Sequence, residues 1–410
     1  MHTPHMANSA RSTRRQTRRV RRHERNLYLA VEPVTYALTR LIRNRAIIKL
    51  PRLGVVVSDG KLIREAYLRH GDFIKTGDES AAWAITQVFG PYAMLNVEGE
   101  DHREVRDNLR GIFGPKPARA RARRISTPIV DDFRTRLEAG ERVDVVDIAK
   151  LAAGSLMADM CGFRGSRAEL ETEARRLHAL SVGMTSLLSA ASLKPPPEQI
   201  ERARELFREM VINVEAAIAA DDSDAVPAVM HRAGNSIDQI KGTVGVLLVA
   251  GVETTTSALS RIIALLCDSG QVAALRADPE LLPGAIDESL RYSSPVPVST
   301  RTIAIDCELG GRQLKAGGKM LLLLRNGLRD RKLIEHGETF DITRAMPHEL
   351  RLLWFGAGPH YCIGFGMSVE LLNMLARVVI DLPGEIRVVS RASGAAMIPA
   401  YGSLVIEMVT

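Results

Sequence analysis

The stretch WFGAGPHYCIG, residues 354–364, decides how this chain is read. Gly356, Gly358 and Gly364 surround Cys362, and Gly366 opens an apolar segment with helical spacing that runs to residue 381. Glycine at that density means that the backbone bends tightly or that something large approaches it. Cysteine is scarce, four in 410 residues, at positions 161, 267, 307 and 362. A thiol just ahead of a helix N-terminus meets the positive end of the helix dipole and free amide groups, which lowers its pKa and makes it a nucleophile or a soft metal ligand.

Working outward, no second cysteine sits at zinc-site spacing from Cys362, and no nearby Cys–His–Asn pattern suggests a protease-like nucleophile. A single thiolate with glycines that clear space for a flat, bulky ligand fits a haem held by one axial sulfur. Upstream, LLVAGVETTTSAL (247–259) places Glu253 and three threonines in an otherwise apolar run. A carboxylate buried in such a helix is costly unless it has a partner or a task. Read alone, the segment equally fits a helix that surfaces locally, with Thr254 bonded to its preceding turn. Glu288 and Arg291 lie three residues apart, on one helix face, where such pairs usually decorate a solvated surface.

The bulk composition is that of a large helical protein. Hydrophobic residues make up 46% and aromatics only 4%, enough for a sizeable core rich in Ala, Leu and Val. Helical patterning is expected over 61–70, 102–113, 126–162, 167–193, 198–220, 236–268, 278–292 and 366–381. Residues 71–99 look irregular. Strand-like pieces are expected at 54–60, 296–305, 319–324 and 384–410. The fold expected is mainly α with small β-sheets, in a single domain over 27–410, with free thiols that suit a reducing cytoplasm. The longest apolar run, Val244–Val252, is about half of what spans a bilayer, so no integral membrane segment is expected.

The net charge of +7 is local. Residues 1–25 carry arginines at 11, 14, 15, 18, 19, 21, 22 and 25 against a single acid, Glu24. Removing these from the 55 basic and 48 acidic side chains leaves the rest balanced, 47 against 47. The basicity belongs to an arm and not to the folded body. Residues 1–26 are expected to form a disordered basic arm, a solvated tail rather than a segment that touches nucleic acid or membrane.

With these motifs in hand, the chain is identified as resembling the cytochrome P-450 monooxygenases. Phe355-Gly356-x-Gly358-x-His360-x-Cys362-x-Gly364 resembles their haem-binding signature, and Ala250-Gly251-x-Glu253-Thr254-Thr255 and Glu288-x-x-Arg291 precede it in the family's order. The resemblance implies a haem b lying between the long central helix and the helix after Cys362, with Cys362 as axial ligand of the iron. It implies that His360, His102, Arg106 and Arg301 hold the haem propionates, and that Phe355, Gly356, Gly364 and Ala250 border the ring. Glu288 and Arg291 would then be a buried pair bracing the cysteine loop. Thr339 stands where the family usually has an arginine that completes this brace, and His336 or Arg344 is expected to take its place.

The resemblance also implies the chemistry. Thr254 would hydrogen-bond dioxygen or its protonating water, Glu253 would relay protons, and Gly251 would leave space for oxygen. One oxygen atom of O2 would enter a hydrophobic small molecule, lipid-, terpene-, steroid- or natural-product-like. The pocket would use Phe89, Tyr92, Leu247, Val296, Val298 and Met397, with Lys75 or Arg301 able to meet an acidic group. Electrons would come from a separate ferredoxin- or flavodoxin-type donor, docked against Arg103, Arg110 and the run Lys116–Arg124. The alternatives are a peroxide-driven peroxygenase on the same fold, a non-enzymatic haem sensor, for which nucleic acid would be the arm's partner, and a thiol enzyme with Cys362 as nucleophile. The Glu253-Thr254 pair argues against the first.

Overall fold

The computed structural model describes residues 4–31, 33–51, 53–77, 82–187, 195–394 and 398–409. Its axis is the helix Ile237–Ser269, 33 residues long. Ser236 caps it with a reciprocal capping box to Gln239, and Gly270 ends it in the left-handed conformation at φ 68°. By length and apolarity this helix could cross a membrane, but 72% of its most apolar window is buried inside the protein, which makes it a core helix. Helices Val145–Met160, Arg167–Leu187, Leu282–Tyr292 and Phe365–Asp381 pack around it. Val145–Met160 is buried on nearly every side, which explains its all-round apolar sequence.

Among the described residues, three small sheets complete the fold. The largest runs in the order Ile47–Leu50, Gly54–Val57, Lys319–Leu322, Ser299–Ile303, Phe73–Ile74, antiparallel except where Gly54–Val57 runs parallel to Lys319–Leu322. Its register sets Arg301 opposite Met320 and fixes where Lys75 leaves the sheet. The second joins Val143–Asp144, Tyr401–Val409 and Glu385–Ser393, and the third is the hairpin of Cys307–Leu309 and Arg312–Leu314. One apolar cluster runs continuously from Val20 to Ile406.

Five expectations differ from this. The segment 102–113 is two helices, Gly99–Asn108 and Arg110–Phe113, parted at Leu109. The segment 126–162 is two helices, Pro115–Glu138 and Val145–Met160, because Gly140 turns the chain at φ 76° ahead of a short strand. Residues 198–220 likewise divide into Pro197–Met210 and Val214–Ala219. The irregular stretch 71–99 contains the helix Ala82–Phe89. Most consequentially, the basic arm is not disordered over its described side chains: Pro4–Val31 is a helix. Val20, Glu24, Leu27 and Tyr28 recur with helical spacing and are all buried. Glu24 accepts from Arg261 of the central helix at 2.6 Å and from Ser293 at 3.0 Å, and Arg19 pairs with Asp268 at 2.9 Å. A stripe of four buried positions suffices to dock a helix that composition alone marks as too polar to fold.

Candidate functional site

The cysteine loop leaves a single 3-10 turn, Leu353–Phe355, and reaches the helix Phe365–Asp381. Gly356 and Gly358 adopt φ 81° and 70°, and a Cβ on Gly358 would lie 2.6 Å from the Tyr67 carbonyl oxygen, so no other residue fits there. The Cys362 amide donates to the Phe355 carbonyl at 2.9 Å. Phe355 stands edge-on to Phe365, with centroids 5.1 Å apart. The loop is thereby closed on itself, and the sulfur is presented at the start of the helix.

Burial raises the Cys362 thiol above its ordinary pKa, against the lowering pull of the Gly364 and Phe365 amides and of Arg106 and Lys75. This corrects the expectation from the dipole alone: desolvation outweighs the amides and the nearby cations. A sulfur so placed becomes a thiolate when a cation binds it directly.

Across an apolar cavity from Cys362, Ile363, Gly364 and Met367 stand Leu247, Ala250, Gly251 and Thr254 of the central helix. Thr254 Oγ1 donates to the Ala250 carbonyl at 2.5 Å. Glu253, one residue back, is buried and accepts from Thr185 Oγ1 of Arg167–Leu187 at 2.8 Å. Burial pushes its carboxyl up to about 7, with the Thr185 hydrogen bond opposing. Thr185 was not singled out from the sequence, because it lies 68 positions from its partner. Gly251 does not leave open space: a Cβ there would meet Met157 Sδ at 2.6 Å, so the missing side chain admits Met157.

Near Cys362 lies a group of basic side chains, of which Arg106 and Lys75 act on its thiol directly. The His102 and His360 rings sit 4.1 Å apart. His360 Nε2 bonds Glu98 at 2.9 Å, while its buried Nδ1 has no partner. Arg106 donates to the Tyr361 carbonyl at 2.8 Å, and Arg301 lies over the Tyr67 ring at 4.8 Å. Burial, reinforced by Arg301, drives Lys75 down to about 7, and burial, with His360 beside it, drives His102 down to about 4. Burial would raise the Glu98 carboxyl, but His360 and the Lys75 and Thr76 amides hold it below its usual range. Five basic side chains thus converge around one carboxylate, an imbalance that suits a ligand carrying its own carboxylates. A flat apolar ring with two propionates fits this donor set, the orphaned His360 nitrogen and the apolar cavity together.

Beneath the loop, Arg291 grips Glu288 with two hydrogen bonds, 2.6 and 2.8 Å long, and both residues are fully buried. Arg291 also donates to the Leu328 and Gly337 carbonyls, each at 2.9 Å. Arg344 supplies the cation missing at Thr339: its Nε reaches Glu288 at 3.3 Å and its Nη2 the Thr339 carbonyl at 3.0 Å. The His336 ring points instead to Glu335 at the surface.

The substrate positions fare unevenly. Leu247 lines the cavity, but Phe89 is packed edge-on against Phe207, and Tyr92 is 57% exposed. Val298 belongs to a separate apolar cluster under the large sheet, Val296 is surface-exposed, and Met397 lies outside the described residues. The run Lys116–Arg124 is not a free cationic face either. Arg121 is buried beside Asp159, Arg124 also pairs with Asp159, and Arg123 pairs with Glu370. Arg103 and Arg110 remain exposed beside Glu100 and Asp107.

Known proteins share this fold. The family model described as Cytochrome P450 matches residues 49–278 and 273–380. The chain belongs to the cytochrome P450 family. Haem b is accordingly its cofactor. Steroid C26-monooxygenase of Mycobacterium tuberculosis is 30% identical over 270 residues, covering 64% of this chain and 70% of that protein. Cytochrome P450 107B1 of Saccharopolyspora erythraea is 29% identical over 68% of this chain and 66% of its own length. Cytochrome P450 126 of M. tuberculosis reaches 37% identity, but the match spans only 35% of that protein. Among solved structures, CalO2 superposes with a TM-score of 0.79 at 24% identity over 93% of this P450 and 97% of that chain. CYP109E1 of Bacillus megaterium, solved with testosterone, gives 0.76 at 21% over 94% and 100%. At those identities the likeness is one of fold.

Proposed function

We propose that this P450 is a haem-thiolate monooxygenase that inserts one atom of O2 into a hydrophobic small molecule. The observation that carries this reading is the opposition of Cys362 and Thr254 across one apolar cavity, with the basic side chains of Arg106 and Lys75 close enough to act on the cysteine sulfur. When bound, haem supplies the iron centre at which dioxygen is reduced. Cys362, whose backbone N–H donates to the Phe355 carbonyl, would ligate that iron. Arg106, Arg301, His102 and His360 anchor the propionates. Thr254 lines the cavity with its hydroxyl donated to the Ala250 carbonyl, from which it would turn to oxygen on binding, and Glu253, with a pKa of about 7, holds or yields a proton within the working pH range. Thr185 keeps that carboxyl in place.

The apolar lining of Leu156, Met157, Leu247 and Leu371 suits a lipid-like, steroid or natural-product substrate. A ferredoxin- or flavodoxin-type donor in the cytoplasm would deliver electrons, with Arg103, Arg110 and the exposed Lys116 and Arg119 as its contact face. The buried Glu253 supports dioxygen over peroxide as oxidant, because peroxide already carries the protons that an acid relay delivers. Reconstitution with such a donor and isotopically labelled dioxygen tests the reading. One labelled oxygen in the product is expected. Turnover with peroxide alone, and none with the donor system, would contradict it.

A further inference from the structure

The N-terminal helix keeps a face that the fold does not use. Val20, Glu24, Leu27 and Tyr28 bury one side of it. Arg15, Arg18, Arg22, Arg25 and Leu29 follow one another at spacings of three and four on the opposite side, and all are exposed. Such spacing keeps them on a single stripe about 80° wide. Glu24 is the one acid among the described side chains of this helix, and it is turned inward to Arg261.

The next helix, Pro33–Leu41, continues the surface with the opposite chemistry. Tyr36 stacks on Tyr28 and Leu38 packs inward against the cluster of Ile42, Val56 and Leu323. Val34 and Leu41 are left 78% and 81% exposed, with Ala37 between them and Leu29 at 43% just before. Arg40 and Arg45 flank them, both exposed. Glu32, between the two helices, lies outside the described residues.

We propose that these two helices form a docking surface for an anionic lipid bilayer, arginines against the headgroups and Val34, Leu41 and Leu29 inserted beside them. An arginine stripe running into protruding aliphatic side chains is complementary to an interface that is charged outside and apolar just beneath. Nucleic acid would meet the arginines but leave the aliphatic side chains in water. A second copy in an isologous contact would set arginine against arginine. An acidic electron donor must approach Cys362, whereas Arg19 fastens this helix at Asp268, about 20 Å along the central helix from Thr254.

The test is co-sedimentation of the full-length holoprotein with vesicles of phosphatidylcholine alone or with about a quarter phosphatidylserine. Each arginine at such a surface contributes about fivefold in partition. The expected result is strong preference for the anionic vesicles, lost at high salt, and lowered at least about six-hundredfold in R15E/R18E/R22E/R25E. V34S/L41S is expected to weaken binding to the same vesicles at least about tenfold. Both variants change exposed side chains, and their unaltered carbon-monoxide spectrum verifies folding. Equal binding to both vesicle types, or none, overturns the proposal. So does duplex DNA that binds while vesicles do not, or a dimer in sedimentation velocity that V34S/L41S dissociates without any vesicle binding.

Discussion

Thr185 Oγ1 donates to Glu253 Oε1 at 2.8 Å, so the one carboxylate between Ile240 and Cys267 of the central helix is held from a neighbouring helix. Burial makes that carboxyl reluctant to ionise and raises its pKa to about 7, and Thr185 partly offsets this. Thr185→Val is expected to raise the Glu253 pKa further. The pH profile of product formation should shift toward higher pH with haem content unchanged. An unmoved profile would remove Thr185 from the proton path.

The same group makes stability depend on pH. Its folded pKa of about 7 lies above the unfolded carboxyl value, so the folded state binds the extra proton between them. Stability is then lost as pH rises from about 4.5 to about 7, by at most about 3 kcal/mol, and levels off above. Glu253→Gln should flatten that part of the curve. Denaturant unfolding of both holoproteins across this range checks it, and parallel curves would contradict it.

Thr254→Ala should retain haem and substrate binding while reducing equivalents leak to peroxide. The measurement is the ratio of product to reductant consumed. Undiminished coupling would show that the Thr254 hydroxyl has no part in handling oxygen.

The motifs that sequence made legible are those compressed into a few neighbouring positions. The Cys362 loop, Glu253-Thr254 and Glu288-x-x-Arg291 each depend on contacts within one turn or one loop, so spacing alone carries them. The pairings that went unread are joined across the fold, Thr185 to Glu253 over 68 positions and Glu24 to Arg261 over 237, while Arg344, 56 positions from Glu288, was reached only through the family resemblance. Nothing in local spacing selects such partners. Most of the substrate positions, Leu247 apart, lie away from the cavity beside Cys362 for a related reason. Whether Tyr92 or Val298 faces the cavity or the outside depends on where loops and sheet edges come to rest. The N-terminal helix was hidden because eight arginines mask a buried stripe only four residues long.

That helix yields its own test. Glu24 and Arg261 are 5% and 1% exposed, and removing one buried partner strands the other's charge. Glu24→Gln should cost about 3 kcal/mol in denaturant unfolding. A tail without structure would show no change.

The brace beneath the cysteine loop is more sensitive still. Glu288→Gln leaves Arg291, fully buried, and Arg344 facing a neutral group. A loss of about 3–5 kcal/mol and a lowered haem-to-protein ratio are expected. Full haem occupancy at unaltered stability would mean that the carbonyls of Leu328, Gly337 and Thr339 satisfy both arginines without it.

The central claim is that Cys362 is the iron's sulfur ligand, and the carbon-monoxide spectrum of the reduced protein tests it most directly. The native chain should show the red-displaced Soret band of thiolate-bound haem, and Cys362→Ser should lose it. Absence of that band in the native chain, or its survival in Cys362→Ser, would contradict the account.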